Sequence, residues 1–390
     1  MNLLFVSYGT WNNNSGYHIQ ALARSLNLRD CDCRVAVPKI KPEDDLPPAG
    51  WCQPVHYRDV LKNGGAIFTN GRPADVVHAW TPREIVRQFV ESYLEIHPAT
   101  PHVVHLEDNE ENLLERFLGK SISELRRDLK AGVEGLSIPP GLIHPNHYRT
   151  FLAEADGITV IHQMLEELPG LGREVCELVP AIYPEDFKGG QGHCERVRRE
   201  YAVPDGARVV VYSGNDHFAN AEDIRLLYQA MYELHRADRP IRLLRAGETL
   251  PEIYQPLPFD REQFETCLGV LPHDQVLALL PCADILVQPG KPDEFNRFRL
   301  PAKVPEFLSA GKPVILPRAN VGMELQHGVN AMLTEGGNPG EIVTNFEAID
   351  RDPALASSLA SGALEFARRR FDPERVAGDA LRFYQKVARP

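Results

Sequence analysis

The sequence predicts an α/β protein of two consecutive doubly wound domains with a cleft between them. Three observations carry that expectation. Short apolar runs alternate with amphipathic helical stretches along almost the whole chain. A polar, glycine-bearing stretch, YPEDFKGGQGH from Tyr183 to His193, divides the alternation into two series. The length of 390 residues is enough for two full cores.

The first series opens with a strand, Asn2 to Ser7, and a polar loop from Gly9 to Gly16. A helix with Ile19, Leu22, Ala23 and Leu26 on one face follows, then a strand from Arg34 to Val37. The loop lacks the G-x-G-x-x-G spacing of a dinucleotide fingerprint. Ser15-Gly16 can cap the helix and leave its first N–H groups to a ligand. Strand Asp75–Ala79 leads to a helix expected to begin at Pro82, with Ile85, Phe89 and Tyr93 on one face. Strand His102–Leu106 runs into Glu107-Asp108-Asn109-Glu110-Glu111 and another helix. Leu118 to Pro145 reads as a charged helical insert, and Gly157–Ile161 and Cys176–Val179 as further strands. His105 and Glu107 share a side of their strand if it extends that far. Glu107 or Asp108 is then placed to hold a hydroxyl or assist its proton loss, or both cap the helix they precede.

The second series comprises strand Arg208–Ser213, helix Ala221–Arg236, strand Ile241–Ala246, helix His273–Leu280 and strand Ile285–Gln288. A short helix, Ala302–Ala310, then ends at Gly311, and strands Val314–Leu316 and Ala331–Thr334 follow. From Lys291 to Arg318 six basic residues stand against three acids, in a chain whose formal net charge is −12. That local reversal suits a negatively charged ligand. Lys303 and Glu306 lie three apart, on one face near a helix N-terminus, where an anion is favoured. Asn338-Pro339, Asp352-Pro353 and Asp372-Pro373 each set a capping side chain before a proline, marking three final helices. The apolar set Val376, Ala377, Leu381, Phe383, Tyr384 and Val387 is wider than one sheet face requires. We therefore expect domains at 1–185 and 186–371, with the helix 372–390 packing back on the first.

In parallel sheets ligands sit beyond the carboxyl ends of the strands. Those ends carry Ser7–Gly16, Glu107-Asp108, Ser213–Asn215, Arg245–Gly247, Gln288–Gly290 and Asn320, a polar set with glycines. The acidic balance argues against a nucleic-acid partner. The opening MNLLFVSYGT has neither the basic start nor the length of a signal peptide or membrane span. Cytoplasmic residence is expected, with peripheral membrane association left open. Seven cysteines include a lone Cys31-x-Cys33 pair, read as free thiols bordering a strand in a reducing compartment. Asp30-x-Asp32 precedes a strand rather than ending one, and no metal site or cofactor is expected.

From Val209 to Glu335 five fragments occur in order: VVVYSGN, IRLLRAGE, LGVLPHDQVLALLPCADILVQPG, LPAKVPEFLSAGKPVI and NVGMELQHGVNAMLTEGG. Here the chain resembles the retaining glycosyltransferases of family 4. SGYHIQALARSL, ADVVHAWTP and VVHLED extend the likeness more loosely into the first half. The resemblance implies two Rossmann-like domains with a central cleft, the GT-B architecture. It also implies transfer of a sugar from a nucleotide-diphosphate donor to a glycan, lipid-linked or small-molecule acceptor, with retention and without a catalytic metal. The donor would lie on the C-terminal domain and the acceptor mainly on the N-terminal one.

Glu306 matches the family's second acidic residue, which binds the donor ribose. The first acid falls on Phe298, the diphosphate Arg and Lys fall on Asn215 and Asn220, and the N-terminal histidine falls on Glu107. Arg297, Arg299 and Lys303 are placed to supply the missing positive charge to a departing nucleoside diphosphate. The implied donor site is then Glu306, Lys303, Arg299, Arg297, Gly214, Asn215, Arg245 and Gly247. Glu107 and Asp108 are the catalytic candidates, and Ser15, Gly16 and His18 form an acceptor or phosphate loop. Two other readings stay open: a nucleotide-sugar epimerase of the same architecture, and a non-catalytic nucleotide-sugar or carbohydrate-binding protein.

Overall fold

The computed structural model describes residues 1–40, 52–64, 66–168, 174–237 and 239–388. The chain forms two compact units, Met1–Ala181 with Asp372–Pro390, and Ile182–Phe371.

The N-terminal unit is built on a parallel sheet of β1 (Asn2–Ser7), β2 (Asp32–Val37), β3 (Gln53–His56), β4 (Val76–Trp80), β5 (His102–Leu106), β6 (Gly157–Val160) and β7 (Val175–Glu177). Their order is β3-β2-β1-β4-β5-β6-β7. The sheet reverses direction between β1 and β4, where a doubly wound fold opens its ligand crevice. β1, β4 and β5 are buried at every position, which explains their largely apolar character. The last helix, Pro373–Val387, belongs to this unit: Tyr384 is hydrogen-bonded to His78 at 2.7 Å. Phe383 lies against Gly157, where an added Cβ would come within 2.6 Å of the ring.

The helix expected from Pro82 begins instead at Glu84, with Arg83 extended before it. Its first free N–H groups are satisfied by the charged insert: Glu84 N–H donates to the Leu142 carbonyl and Ile85 N–H to that of Pro140, both at 2.9 Å. Within the insert, Ser121 and Glu124 form a capping box for the helix Ile122–Ala131.

The C-terminal unit has β8 (Arg208–Ser213), β9 (Ile241–Ala246), β10 (Glu265–Gly269), β11 (Ile285–Val287), β12 (Val314–Pro317) and β13 (Met332–Thr334). Their order, β10-β9-β8-β11-β12-β13, repeats the same winding, with the reversal between β8 and β11. Tyr212, Leu227, Tyr228, Met231, Phe264 and Phe346 are buried together in its core. Asn338, Asp352 and Asp372 cap their helices ahead of first-turn prolines, as the sequence indicates. Cys31 and Cys33 are buried free thiols, whereas Cys194 and Cys282 are joined in a disulfide that their spacing gave no sign of. Among the described residues no helix is long and apolar enough to cross a membrane.

Candidate functional site

At the end of β8 the backbone takes a conformation that L side chains rarely adopt: φ is +132° at Gly214, and +126° at Gly247 beyond β9. The two turns pass so closely that a Cβ on Gly247 would collide with the Gly214 carbonyl. The place where a Gly214 Cβ would stand lies 2.6 Å from the Lys303 ammonium. Lys303 opens the helix Lys303–Ser309 and reaches back across the strand end. Its Nζ donates to the Tyr212 hydroxyl at 3.1 Å and sits 4.3 Å from that ring's centre. No carboxylate among the described residues is ion-paired with it. Burial, then Arg299 and Arg245, pull the Lys303 pKa down to about 7.

Arg299 lies over the Phe295 ring at 4.7 Å and likewise has no ion-pair partner among the described residues. Burial, with Arg299 and Lys303 beside it, pushes the His217 imidazole down to about 4. It is therefore neutral near pH 7, while Arg299 is charged. Asp223, in the first turn of helix Ala221–Arg236, accepts from Asn296 Nδ2 at 3.3 Å, and burial raises its pKa to about 6. Two half-buried basic side chains without carboxylate ion-pair partners among the described residues, set at a sheet reversal, form a site for an anion.

Other residues of the expected donor set have structural work. Arg245 is a correction: it is wholly buried and paired with Asp216, Nη1 donates to the Ala246 carbonyl and Nη2 to that of Glu248, and its Nε has no hydrogen-bond partner among the described residues. Asp216 also accepts from Leu250 N–H at 3.0 Å and Tyr254 Oη at 2.7 Å. That cluster holds the turns after β8 and β9 together rather than facing a ligand. The Asn215 side chain is likewise engaged, its Oδ1 accepting from Glu248 N–H at 2.8 Å. Asn220 closes the loop, donating to the Asn215 carbonyl at 3.1 Å and accepting from His217 N–H at 2.9 Å. Phe298 is buried, and Arg297 lies over its ring at 5.1 Å. Glu306 accepts from His273 Nε2 at 2.7 Å. Burial alone would lower the His273 pKa, but the Glu306 carboxylate outweighs it and the net direction is upward.

In the N-terminal unit the ends of β1, β4 and β5 converge on Glu107. Its carboxylate accepts from Ser15 Oγ, from Trp80 Nε1 at 2.8 Å, and lies 3.3 Å from His18 Nδ1. Burial would raise this carboxyl, but His18, His105 and Ser15 outweigh that and hold it down at about 2. Glu107 is thus ionised at any working pH. It does not cap the following helix, since Asn109 does. Asp108 stands next to it at the same strand end. Behind Trp80 the His105 ring packs at 4.2 Å, and its Nδ1 is hydrogen-bonded to Thr159 Oγ1 at 2.8 Å. Burial holds His105 down to about 3, so it is neutral. Thr81 carries φ of +87° with its buried hydroxyl unpaired, a strained position at the end of β4.

Ser15 and Gly16 are a second correction. The helix cap is Asn13, whose Oδ1 takes the Gly16 N–H at 2.6 Å, so that group is not left for a phosphate. Gly16 is a glycine because a Cβ there would strike the Trp11 carbonyl. Tyr212, Asp216, His217, Asp223 and His273 were missed by sequence reasoning. Asp216 and His217 directly follow the quoted VVVYSGN fragment, and His273 lies inside another quoted fragment.

Comparison with solved structures places the architecture. HepE of Anabaena in complex with UDP-glucose superposes with a TM-score of 0.73 at 16% identity, covering 99% of this chain and 100% of that one. Sucrose-phosphate synthase of Thermosynechococcus elongatus gives 0.70 at 12% identity, covering 99% of this chain and 99% of that one. The chain has the GT-B glycosyltransferase fold. Residues 207–352 match the family model described as Glycosyl transferases group 1. A 2-deoxystreptamine glucosyltransferase of Streptomyces kanamyceticus is 25% identical over 252 residues, 61% of this chain. The match spans 62% of that enzyme's length. Both sets of candidate residues sit at the carboxyl ends of GT-B sheets, and the family match falls on the unit that carries Lys303. Among the described residues no three His, Cys, Asp or Glu side chains are grouped to hold a metal ion.

Proposed function

We propose that this chain is a glycosyltransferase that takes a sugar from a nucleotide-diphosphate donor held by the C-terminal unit. The single observation that carries the reading is the pair Lys303 and Arg299. Both lie at the sheet reversal, both lack a carboxylate partner among the described residues, and both fall inside the matched segment 207–352. A diphosphate would satisfy both, and it would stabilise the leaving nucleotide as charge develops on it. Glu306 is assigned to the ribose hydroxyls, held in place by His273. The relatives support a uridine nucleotide and a glucosyl group as the first donor to try: HepE is solved with UDP-glucose, and the Streptomyces relative is named a glucosyltransferase.

On the N-terminal unit, Glu107 is assigned to the acceptor's side of the reaction. A carboxylate held at about 2 is a weak base at neutral pH. Its role is to fix an acceptor hydroxyl. Asp108, next to Glu107 at the same strand end, is the candidate for accepting the hydroxyl's proton. The acceptor is a glycan, a lipid-linked sugar or a small polyol, and transfer proceeds with retention and without a metal cofactor.

The test is incubation with UDP-glucose and a panel of such acceptors, reading new glycosidic bonds by mass spectrometry and their configuration by proton couplings. A new α-glucoside from the α-linked donor supports the reading. Isomerised donor with no new bond would indicate the epimerase. Nucleotide binding with no turnover on any acceptor would favour the binding protein.

A further inference from the structure

We propose that Lys303 is a proton-taking clamp for the donor: it sits uncharged in the empty site and binds a proton as the diphosphate arrives. The inference rests on the donor reading above and concerns how that same site discriminates. Its basis is geometric. The Lys303 ammonium is packed into the space vacated by the Gly214 Cβ, against the Tyr212 ring at 4.3 Å. Its hydrogen bond among the described residues is to a neutral phenol at 3.1 Å. A charged ammonium so placed, half-buried against a ring beside two arginines and without a carboxylate partner among the described residues, is disfavoured until an anion comes.

The groups facing it argue the same way. Tyr212 on β8 is a phenol that burial pushes up to about 12, so it stays neutral. Arg245 on β9 is positive, though already neutralised by Asp216 on the turn after β8. His217 on the same turn is neutral, and Arg299, from the segment before the lysine's own helix, is positive. Against these stand Glu306, one turn along the helix and bound to His273, and the buried Asp223 of the helix Ala221–Arg236. The balance of these pulls leaves the lysine near pH 7 rather than in its ordinary range. Two phosphates bring negative charge beside the lysine, and that restores the ammonium.

The sign follows. Below the free-site value the lysine is already charged and binding takes up no proton there. Above it, binding takes up to one proton, and affinity falls as pH rises, approaching tenfold per pH unit, until the bound-state value is passed. A nucleoside without phosphates gives no such dependence. The site thereby selects the diphosphate over the bare nucleoside by charge that exists only when the ligand is present.

The experiment is calorimetric titration of the full chain with UDP-glucose, at pH 6 and pH 8, in buffers of differing ionisation enthalpy. The diphosphate of this ligand has no proton to exchange in that range. We expect uptake of about 0.1 proton at pH 6 and about 0.9 at pH 8, with uridine near zero at both. Lys303→Arg, which carries its charge permanently, should bind with uptake at pH 8 reduced to near zero. Binding without uptake at pH 8 would overturn the clamp while leaving the donor reading intact. Uptake confined to pH 6, or retained in Lys303→Arg, would assign it to His217 or Asp223 and overturn it equally. Absence of binding by every nucleotide diphosphate and its sugars would overturn the donor reading, and the clamp with it. The wild-type comparison of the two pH values stands even if the variant fails to fold.

Discussion

Gly214→Ala probes the donor site without removing any charged group. The new Cβ would stand 2.6 Å from Lys303 Nζ and 2.7 Å from its Cε, closer than real Cβ contacts come, so the ammonium must leave its place on Tyr212. A charge-assisted contact is worth about 1.5–3 kcal/mol. Its loss should weaken UDP binding by roughly ten- to 150-fold, and uridine binding much less. The substitution also strains a backbone held at φ +132°, costing about 1–3 kcal/mol of stability. Gly269→Ala separates the two effects: its φ is +67° and nothing lies within 4 Å of the added Cβ. That variant should lose stability and keep its affinity for UDP. Isothermal titration of both variants with UDP and with uridine, alongside thermal denaturation, reads the affinities and stabilities of each. Unchanged UDP affinity in Gly214→Ala, or equal losses for UDP and uridine, would refute the assignment of Lys303 to the phosphates.

Glu306→Ala should weaken nucleotide binding while the fold survives. It should also drop the His273 pKa, because burial then acts without the carboxylate at 2.7 Å, a change visible in an NMR titration of the imidazole. Glu107 contributes stability that is present above the ordinary carboxylate range and lost as pH falls towards about 2. Glu107→Gln should therefore flatten acid denaturation below about pH 4.5 and abolish transfer, leaving UDP affinity unchanged. Cys194→Ser removes a link between positions 88 residues apart and should destabilise the C-terminal unit by about 2–5 kcal/mol, read as an earlier thermal transition. An unaltered transition would place the pairing outside the folded protein's energetics.

Much of the fold was legible because both sheets are parallel and buried, so their central strands read as continuous apolar runs flanked by helices. The strands that escaped notice are β3, QPVH, and β10, ETCLG. Each lies at a sheet edge and is only partly buried along its length, so no apolar run marks it. The start of the helix at Glu84 was hidden for another reason: the carbonyls that receive its first N–H groups belong to Pro140 and Leu142, more than fifty residues on.

The sites divide along the same line. Lys303 and Glu306 were visible from local spacing and from the charge reversal around them. Arg245 looked like a ligand residue because its partner Asp216 comes from the preceding strand's turn, 29 positions away. In Asn-Asn-Asn-Ser-Gly, from Asn12 to Gly16, each asparagine and the serine is a good cap. The choice of Asn13 is made once Ser15 turns to Glu107, 92 positions distant. Glu107 itself was read as either cap or functional acid; the cap is Asn109, and Glu107 faces Ser15, His18 and Trp80 instead.

A diphosphate held by the C-terminal unit at the turn after β8 would be seen in a crystal structure of the chain with UDP. Phosphate oxygens are expected within hydrogen-bonding distance of Lys303 Nζ and the Arg299 guanidinium, with the ribose on Glu306. A diphosphate bound elsewhere on the unit, with Lys303 still seated alone on Tyr212, would contradict that placement.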